Sequence, residues 1–598
     1  VDLGAGNLRF RPFLKVSAPS NRQALRARNR SNYGTSLASG RHFGILPGTR
    51  MRILTLYLVV FLASLGFSPS ARAIDASALP PPDPWRFLAV QRIQALLARS
   101  TGEHPYPVRV LFYGQSIIQQ QWWVTTATEL RRAFPQANLI IENRAIGSFD
   151  ATFLINTAEV DVYPFRPDLI IFHCYGPFSP GREWEQLLRQ FRARTTAEVI
   201  LVGNHPLRES ELAEPTDPPL ISFPSEAWLN YIFSEALVRE LGFCFPDNRT
   251  AWKTYLRTKQ VPLNSLLLDG VHLNLEGSEL QFASLRPYLK TPNLLPAIDP
   301  FNNGKVTTWS VGTNGLNWEG GKLRLEFVGN RVDAIAGPGV GRLCRVRLDG
   351  KVPTSLPSGR AHRRTSKWTG EVYPWPALLK VGAQAPLILE TWALRVAEVD
   401  PLNQANFRFV VSGSLTGNDG VGVSTNLFVS ESGRVRIAPE DWLGRFPKGI
   451  SQLGTFLLWQ TEDRAVDDYF PFAVAGVPGE AVTTLINDLP DGPHVLELIA
   501  DDSETPPPVV ALRTYHPGGA LWESAAAVPP PPVLQMLPWG DEVLLVWPEP
   551  LSEGRLMHRG VFGDSVAEAI QATGSAAGYR GVRWPAARDS GFFRLEYP

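Results

Sequence analysis

Cysteine is scarce. The 598-residue chain has three, Cys174, Cys244 and Cys344, and none sits in a Cys-x-x-Cys pair. That excludes a disulfide framework, leaves at most one bridge, and argues against a structural zinc site. Charge of one sign is also missing: 58 Lys and Arg stand against 57 Asp and Glu. Such a balance gives no reason to expect a nucleic-acid or membrane-surface partner. The apolar run over 53–67, ILTLYLVVFLASLGF, is shorter than the ~20 apolar residues of a membrane span. No fixed-period repeat is visible.

That short run carries a different signal. Met51-Arg52 gives it a basic start, and Ala71-Arg72-Ala73 ends it with a small-x-small site. The pattern predicts a secretory signal peptide over 51–73, cleaved before Ile74, with an uncleaved anchor as the alternative. No cysteine follows, so a lipoprotein is not suggested. Residues 1–50 are rich in Arg, Ser, Gly and Asn without periodicity. A signal peptide acts only at a free N-terminus, so translation is expected to start at Met51, with residues 1–50 a disordered, over-extended gene start. N-terminal sequencing of the natural protein tests this. The expected location is secreted or periplasmic.

What is abundant is tryptophan, at 17, and proline and glycine, at 52 and 50. These favour short strands, turns and aromatic faces. The length calls for three or four units, since domains run to ~100–200 residues. After the Pro-rich linker 74–82, Asp83-Pro84 reads as an N-cap and first helical turn, with the helix ending near Gly102. Apolar runs then alternate with amphipathic patterns. Strands are predicted at 108–114, 138–143, 168–176, 198–204 and 242–247, and helices at 122–134, 182–194, 225–241 and 276–289. Continuous apolar strands interleaved with helices imply a parallel sheet covered on both faces, an α/β domain over 83–292. Ligands bind beyond the carboxyl ends of such strands. From 300 to 520 the texture is short strands between Gly, Asn and Pro, predicting an all-β sandwich or jelly roll, with a possible insertion at about 373–470. The linker VPPPP over 528–532 introduces a small β domain over 533–598.

Three residues stand out chemically. Gly114-Gln115-Ser116 follows the first strand and precedes a helix, so a hydroxyl there lies at the sheet's carboxyl edge beside free N–H groups and the helix dipole. Serine needs an adjacent base to act as a nucleophile. Downstream, Asp269-Gly270-Val271-His272 places a carboxylate within reach of an imidazole on one loop, the orienting role of a triad carboxylate. Taken singly, each pattern also fits an ordinary turn.

Together, in this order, they give residues 108–290 a resemblance to the SGNH, or GDSL-like, hydrolases. The strand followed by Gly114-Gln115-Ser116 is similar to that family's first block. Asn143-Arg144-Ala145-Ile146-Gly147 is similar to the second, and Asp269 with His272 to the last. The resemblance implies a flavodoxin-like sheet and ester hydrolysis through an acyl-enzyme. By it, Ser116 is the nucleophile, His272 the base and then acid, and Asp269 the orienter, with the N–H groups of Ser116 and Gly147 in the oxyanion hole. The family's third block, Gly-x-Asn-Asp, has no counterpart in Phe172-His173-Cys174-Tyr175-Gly176-Pro177. His173, or Asn204 in VGNHP, is then the candidate third donor, and the alternative for His173 is a packed ring bonded to a carbonyl. Gln115 stands where the family has aspartate.

Gln115, Trp122 and Trp123 are candidate substrate contacts; the paired tryptophans fit a sugar-stacking wall or a helix's core face equally. Cys174 and Cys244 are expected as buried thiols. Asp501, Asp502 and Glu504 form an acidic turn that reads as a solvated loop, so no metal site and no cofactor are expected. The expected function is an exported carbohydrate O-acetyl esterase acting on a small-molecule or polysaccharide ester. The alternatives are a weak or inactive glycan-binding protein on the same scaffold, and a lipase or thioesterase.

Overall fold

The computed structural model describes residues 74, 79 and 85–519, apart from 176–181, 217–219, 221–224, 291–297, 314–315, 339–341, 372–373, 444–452, 473–480 and 503–504, together with strands between 535 and 596. The signal-peptide reading, the Asp83-Pro84 cap, Glu504 and both Pro-rich linkers beyond Ile74 and Leu79 lie outside the described residues. Among the described residues no helix is long and apolar enough to cross a membrane.

Strands β1 (Pro107–Gly114), β2 (Asn138–Asn143), β3 (Leu169–His173) and β4 (Glu198–Leu201) form one sheet of order β2-β1-β3-β4. Every pair is parallel. Side chains alternate between the faces of a strand, and here both faces are apolar. Val108, Val110, Phe112, Leu169, Ile171 and Ile200 join one core. Leu111, Tyr113, Ile170, Phe172, Val199 and Leu201 join the other. Helices α1 (Gln91–Arg99), α2 (Gln121–Ala133), α6 (Asn248–Lys259) and α7 (Leu275–Leu285) cover the first face. Helices α3 (Ala151–Asp161), α4 (Glu183–Arg194) and α5 (Ser234–Leu241) cover the second. This is the expected flavodoxin-like arrangement.

Local details differ from the sequence reading, each for a physical reason. The first helix breaks after Trp85–Leu88 and restarts at Gln91. Val90 offers no cap there; instead Glu198, at the start of β4, accepts the N–H groups of Arg92 and Ile93 at 2.7 and 2.8 Å. The predicted strand over 242–247 shrinks to a single parallel bridge, Ile200 with Cys244. A π-turn, Leu229–Phe233, interrupts the helix expected over 225–241. Besides the short turn Glu209–Leu212, two longer helices among the described residues were not expected: α3, capped by Asp150 accepting from Thr152 N–H at 3.2 Å, and α6, capped by Asp247 accepting from Thr250 N–H at 3.0 Å. In both, polar residues interrupt the apolar stripe.

Beyond 300 all described strands pair antiparallel. Two sheets share one core, with Leu323, Leu325 and Phe327 alternating inward along Lys322–Gly329 against Leu485, Ile486 and Leu512. A separate five-stranded sheet, Arg360–His362, Phe456–Asp463, Thr391–Val399, Phe407–Gly413 and Gly417–Val423, lies in the chain between two strands of that sandwich. It has its own core around Trp392, Phe409 and Trp459. This inserted module sits on the α/β domain: its Leu379 and Leu443 enter the second core. Lys380 also donates to Asn156 at 3.0 Å. The C-terminal strands form two further small sheets. Cys174, Cys244 and Cys344 are all buried, and none of them is in a disulfide.

Candidate active site

Two turns and one loop meet at the carboxyl end of β1. Gly114 ends the strand at φ +138°, and a Cβ there would lie 1.9 Å from the His173 carbonyl oxygen. Only glycine lets β1 approach β3 this closely and turn immediately. Ser116 then opens a single 3₁₀ turn, Ser116–Gln119, rather than the α-helix, which starts only at Gln121. The helix dipole expected behind the serine is therefore reduced to the N–H groups of one short turn.

Ser116 and His272 are brought together, with Oγ to Nε2 at 2.9 Å. The other ring nitrogen, Nδ1, lies 2.8 Å from Asp269 Oδ2. An ionised carboxylate can only accept, so Nδ1 carries the proton and Nε2 presents its lone pair to the serine hydroxyl. The Asp269 carboxyl is held down to about 2 by the backbone N–H of His272, then its side chain, then the Val271 N–H. Gly270, at φ +84°, makes this tight loop possible.

The oxyanion side is equally specific. A Cβ on Gly147 would lie 3.8 Å from the Ser116 Cβ and 2.9 Å from Gln119 Oε1. The backbone N–H groups of Ser116 and Gly147 donate to no described protein acceptor. Both are left without an acceptor among the described residues, on two residues that lie next to each other.

The remaining sequence candidates are placed elsewhere. His173 is buried, and its Nδ1 lies 2.9 Å from the Val202 carbonyl. That carbonyl accepts, so Nε2 is a bare lone pair, sealed from solvent. Burial also pushes its pKa down to about 4, keeping it neutral. His173 therefore cannot donate to an oxyanion in this arrangement. Asn204 directs its amide to Glu226 at 3.3 Å. His173 thus supplies no third donor, and Asn204 spends an amide N–H on Glu226. Gln115 is buried, and with its amide oriented to suit its neighbours it donates to the Phe149 carbonyl at 2.9 Å and accepts from Tyr175 N–H at 3.1 Å. It ties the loops together and leaves no face for substrate. Trp122 is fully buried, donating to the Ile117 carbonyl at 2.6 Å, and Trp123 packs half-buried on the same core. Both are helix packing because α2 must cover β1. Asp501 is exposed, and no group of His, Cys, Asp or Glu among the described residues is arranged to hold a metal.

Four supporting residues escaped the sequence reading. Gln119 donates to the Ala145 carbonyl at 2.9 Å, holding the Gly147 loop. Gln120 accepts from the Leu273 N–H at 3.1 Å and donates to its carbonyl at 3.4 Å, holding the His272 loop. His205, neighbour of Asn204 in VGNHP, is buried on Trp252 and bonds the Val271 carbonyl through Nε2 at 3.0 Å. Burial pushes its pKa down to about 3, so it is a neutral brace. Trp375, half-buried and belonging to the inserted β module, donates from Nε1 to the Gly147 carbonyl at 2.9 Å. Polar runs such as QQQ and VGNHP were the only sequence signal, and nothing in the sequence links Trp375 to Gly147.

No family model matches the chain, and no curated protein matches it. Among solved structures it is similar to a two-domain esterase active on acetylated mannans, at 11% identity and TM-score 0.29 over 73% of this chain and 96% of that one. It is also similar to an acetylxylan esterase from Geobacillus stearothermophilus, at 16% identity and TM-score 0.26 over 31% and 96%. A third likeness is to an alpha/beta hydrolase enzyme from the metagenome of Lake Arreo, Spain, at 16% identity and TM-score 0.26 over 32% and 100%. Likenesses of this size add no weight to the geometry above.

Proposed function

We propose that the chain is an exported ester hydrolase of SGNH type, removing O-acetyl groups from a carbohydrate. One observation carries the hydrolase part: the relay Ser116–His272–Asp269, at 2.9 and 2.8 Å, with the backbone N–H groups of Ser116 and Gly147 left without an acceptor among the described residues. Ser116 Oγ attacks the ester carbonyl as its proton passes to His272 Nε2. The carbonyl oxygen gains negative charge toward the N–H groups of Ser116 and Gly147. Collapse expels the alcohol, which takes the proton from His272, and leaves an acyl-serine. Water, deprotonated by the same nitrogen, then releases the acid and restores the serine.

The carbohydrate part rests on the expected export and on the β modules, one of which reaches the site through Trp375. Ser116→Ala is expected to abolish hydrolysis of p-nitrophenyl acetate. Equal turnover by wild type and variant would sink the hydrolase reading. Screening acetylated polysaccharides tests the substrate class.

A second reading, a glycan-binding protein on this scaffold, is favoured by His173, which supplies no third donor. It predicts glycan affinity without labelling of Ser116 by a fluorophosphonate, which intact mass spectrometry reads directly.

A further inference from the structure

The opposite edge of the parallel sheet holds a second, unrelated cluster. A cavity of about 130 Å³ lies where the amino ends of β1 and β3 meet the sandwich. Along β1 this is roughly 25 Å from Ser116. Arg92, Arg109 and Arg166 line it from the α/β domain, and Arg331 and Arg513 from the sandwich. Its wall holds two carboxylates, Asp168 and Asp333, so the lining carries an excess of three positive charges.

Both carboxylates are already engaged. Asp168 takes Arg92 Nη1 at 2.9 Å and the Arg109 backbone N–H at 2.9 Å. Asp333, fully buried, takes Arg331 Nε at 2.9 Å. Among the described residues the Arg109 guanidinium donates to the Phe165 carbonyl, at 3.4 Å, and lies over the Phe165 ring. Arg166 Nε is buried with no partner. Burial, then Arg331 and Arg109, push Arg166 down to about 10; burial, then Arg331, lower Arg109. Like charges confined in a low-dielectric space repel strongly unless something compensates them.

We propose that this cavity binds a small inorganic oxyanion of the phosphate or sulfate class, held between the α/β domain and the sandwich. The volume equals about four waters' share of liquid, at ~30 Å³ each, enough for such an ion with a water or two. Arginines converge on it from two domains, and a tetrahedral oxyanion offers acceptors in every such direction, whereas a planar carboxylate does not. Because the ligand touches both domains, it binds the docked state and stabilises it by mass action. This site is independent of the ester-hydrolase reading.

The test is calorimetric titration of the full chain with sodium phosphate and with sodium sulfate, at constant ionic strength set by sodium chloride. One saturable site per chain is expected, and the melting temperature should rise with the same ions. Arg166→Gln should weaken binding at least about tenfold, the size of a lost charge-assisted hydrogen bond. Val482, on the sandwich wall of the cavity, provides a second variant: Val482→Glu supplies its own carboxylate, so it should abolish binding and remove the effect of phosphate on melting. No saturable heat from wild type at millimolar phosphate or sulfate overturns the proposal. So does binding by Val482→Glu equal to wild type. Should Arg166→Gln not fold, the wild-type and Val482→Glu titrations decide.

Discussion

The two loops that meet at Ser116 are held by opposite means. The Asp269–His272 loop is braced from within the α/β domain, by His205 on the Val271 carbonyl and Gln120 on both backbone groups of Leu273. The Gly147 loop is braced partly from outside. Gln119 holds Ala145, but Trp375 of the inserted β module holds the Gly147 carbonyl, and Arg364 of the same module reaches Asp161 and the Arg144 carbonyl. Among the described residues the His272 loop is thus braced from within the α/β domain, whereas the Gly147 loop also takes a hydrogen bond from the domain docked to it. The Gly147 carbonyl shares a rigid peptide plane with the Ser148 N–H, so this bond fixes the C-terminal side of Gly147, while the Gly147 N–H lies in the plane of the Ile146 carbonyl, which accepts from the Phe149 N–H at 3.2 Å.

The largest break in this comparison is at the base side. Asp269→Asn keeps the loop's shape but replaces the acceptor of the Nδ1 proton with a group that can donate to it. A loss of about 10³- to 10⁴-fold in kcat is expected with p-nitrophenyl acetate. A loss below tenfold would separate Asp269 from the chemistry. The same carboxyl sharpens the pH profile. It is depressed to about 2, so its hydrogen bonds to the loop persist above that and are lost only as pH falls through about 2. Asp269 should therefore contribute no proton to the acid limb of kcat/KM above about pH 3; a two-proton slope there would mean that its carboxyl is not depressed.

The next test is on the oxyanion side. Gly147→Ala adds a Cβ 2.9 Å from Gln119 Oε1. The loop must shift or the Gln119 bond to Ala145 must give. Losing one aligned donor costs about 10²- to 10³-fold in other hydrolases, so a partial misalignment should lower kcat by about 10- to 100-fold. KM for a small ester should hardly move.

These residues also show how far the sequence could be read. The parallel sheet was legible because β1, β3 and β4 are apolar on both faces, and few other structures bury such runs. Ser116, Gly147, Asp269 and His272 were legible because each sits where a strand ends or a glycine permits a tight turn. For His173 the structure shows the alternative, a packed ring bonded to a carbonyl; the third donor stayed open in the sequence because a histidine and an asparagine beside strand ends are chemically able to donate. Only the tertiary partners, Val202 for His173 and Glu226 for Asn204, show that these groups are engaged. Trp122 and Trp123 took the core-face alternative, left open for a similar reason: an aromatic pair reads alike on a core face and on a cleft wall. The contacts from Trp375 to Gly147 and from Glu198 to α1 join positions 228 and more than 100 residues apart, and no local pattern encodes them.

The smallest expected effect is the most direct test of the difference between the loops. Trp375→Phe keeps an aromatic ring, though a smaller one, and removes the Nε1 hydrogen bond to Gly147, worth about 1 kcal/mol, or roughly fivefold in rate if it acts in the transition state. The loss should fall on kcat, leave KM for p-nitrophenyl acetate near wild type, and leave fluorophosphonate labelling of Ser116 slowed but not abolished. Gln120→Ala removes two longer bonds on the other loop and should cost no more than about threefold. The double variant decides whether the loops act separately. Trp375 holds Gly147 and Gln120 holds Leu273, so independent bracing predicts that the two losses multiply, within about twofold. A double variant no worse than Trp375→Phe alone would mean that the inserted module holds both sides of the site through one connected framework.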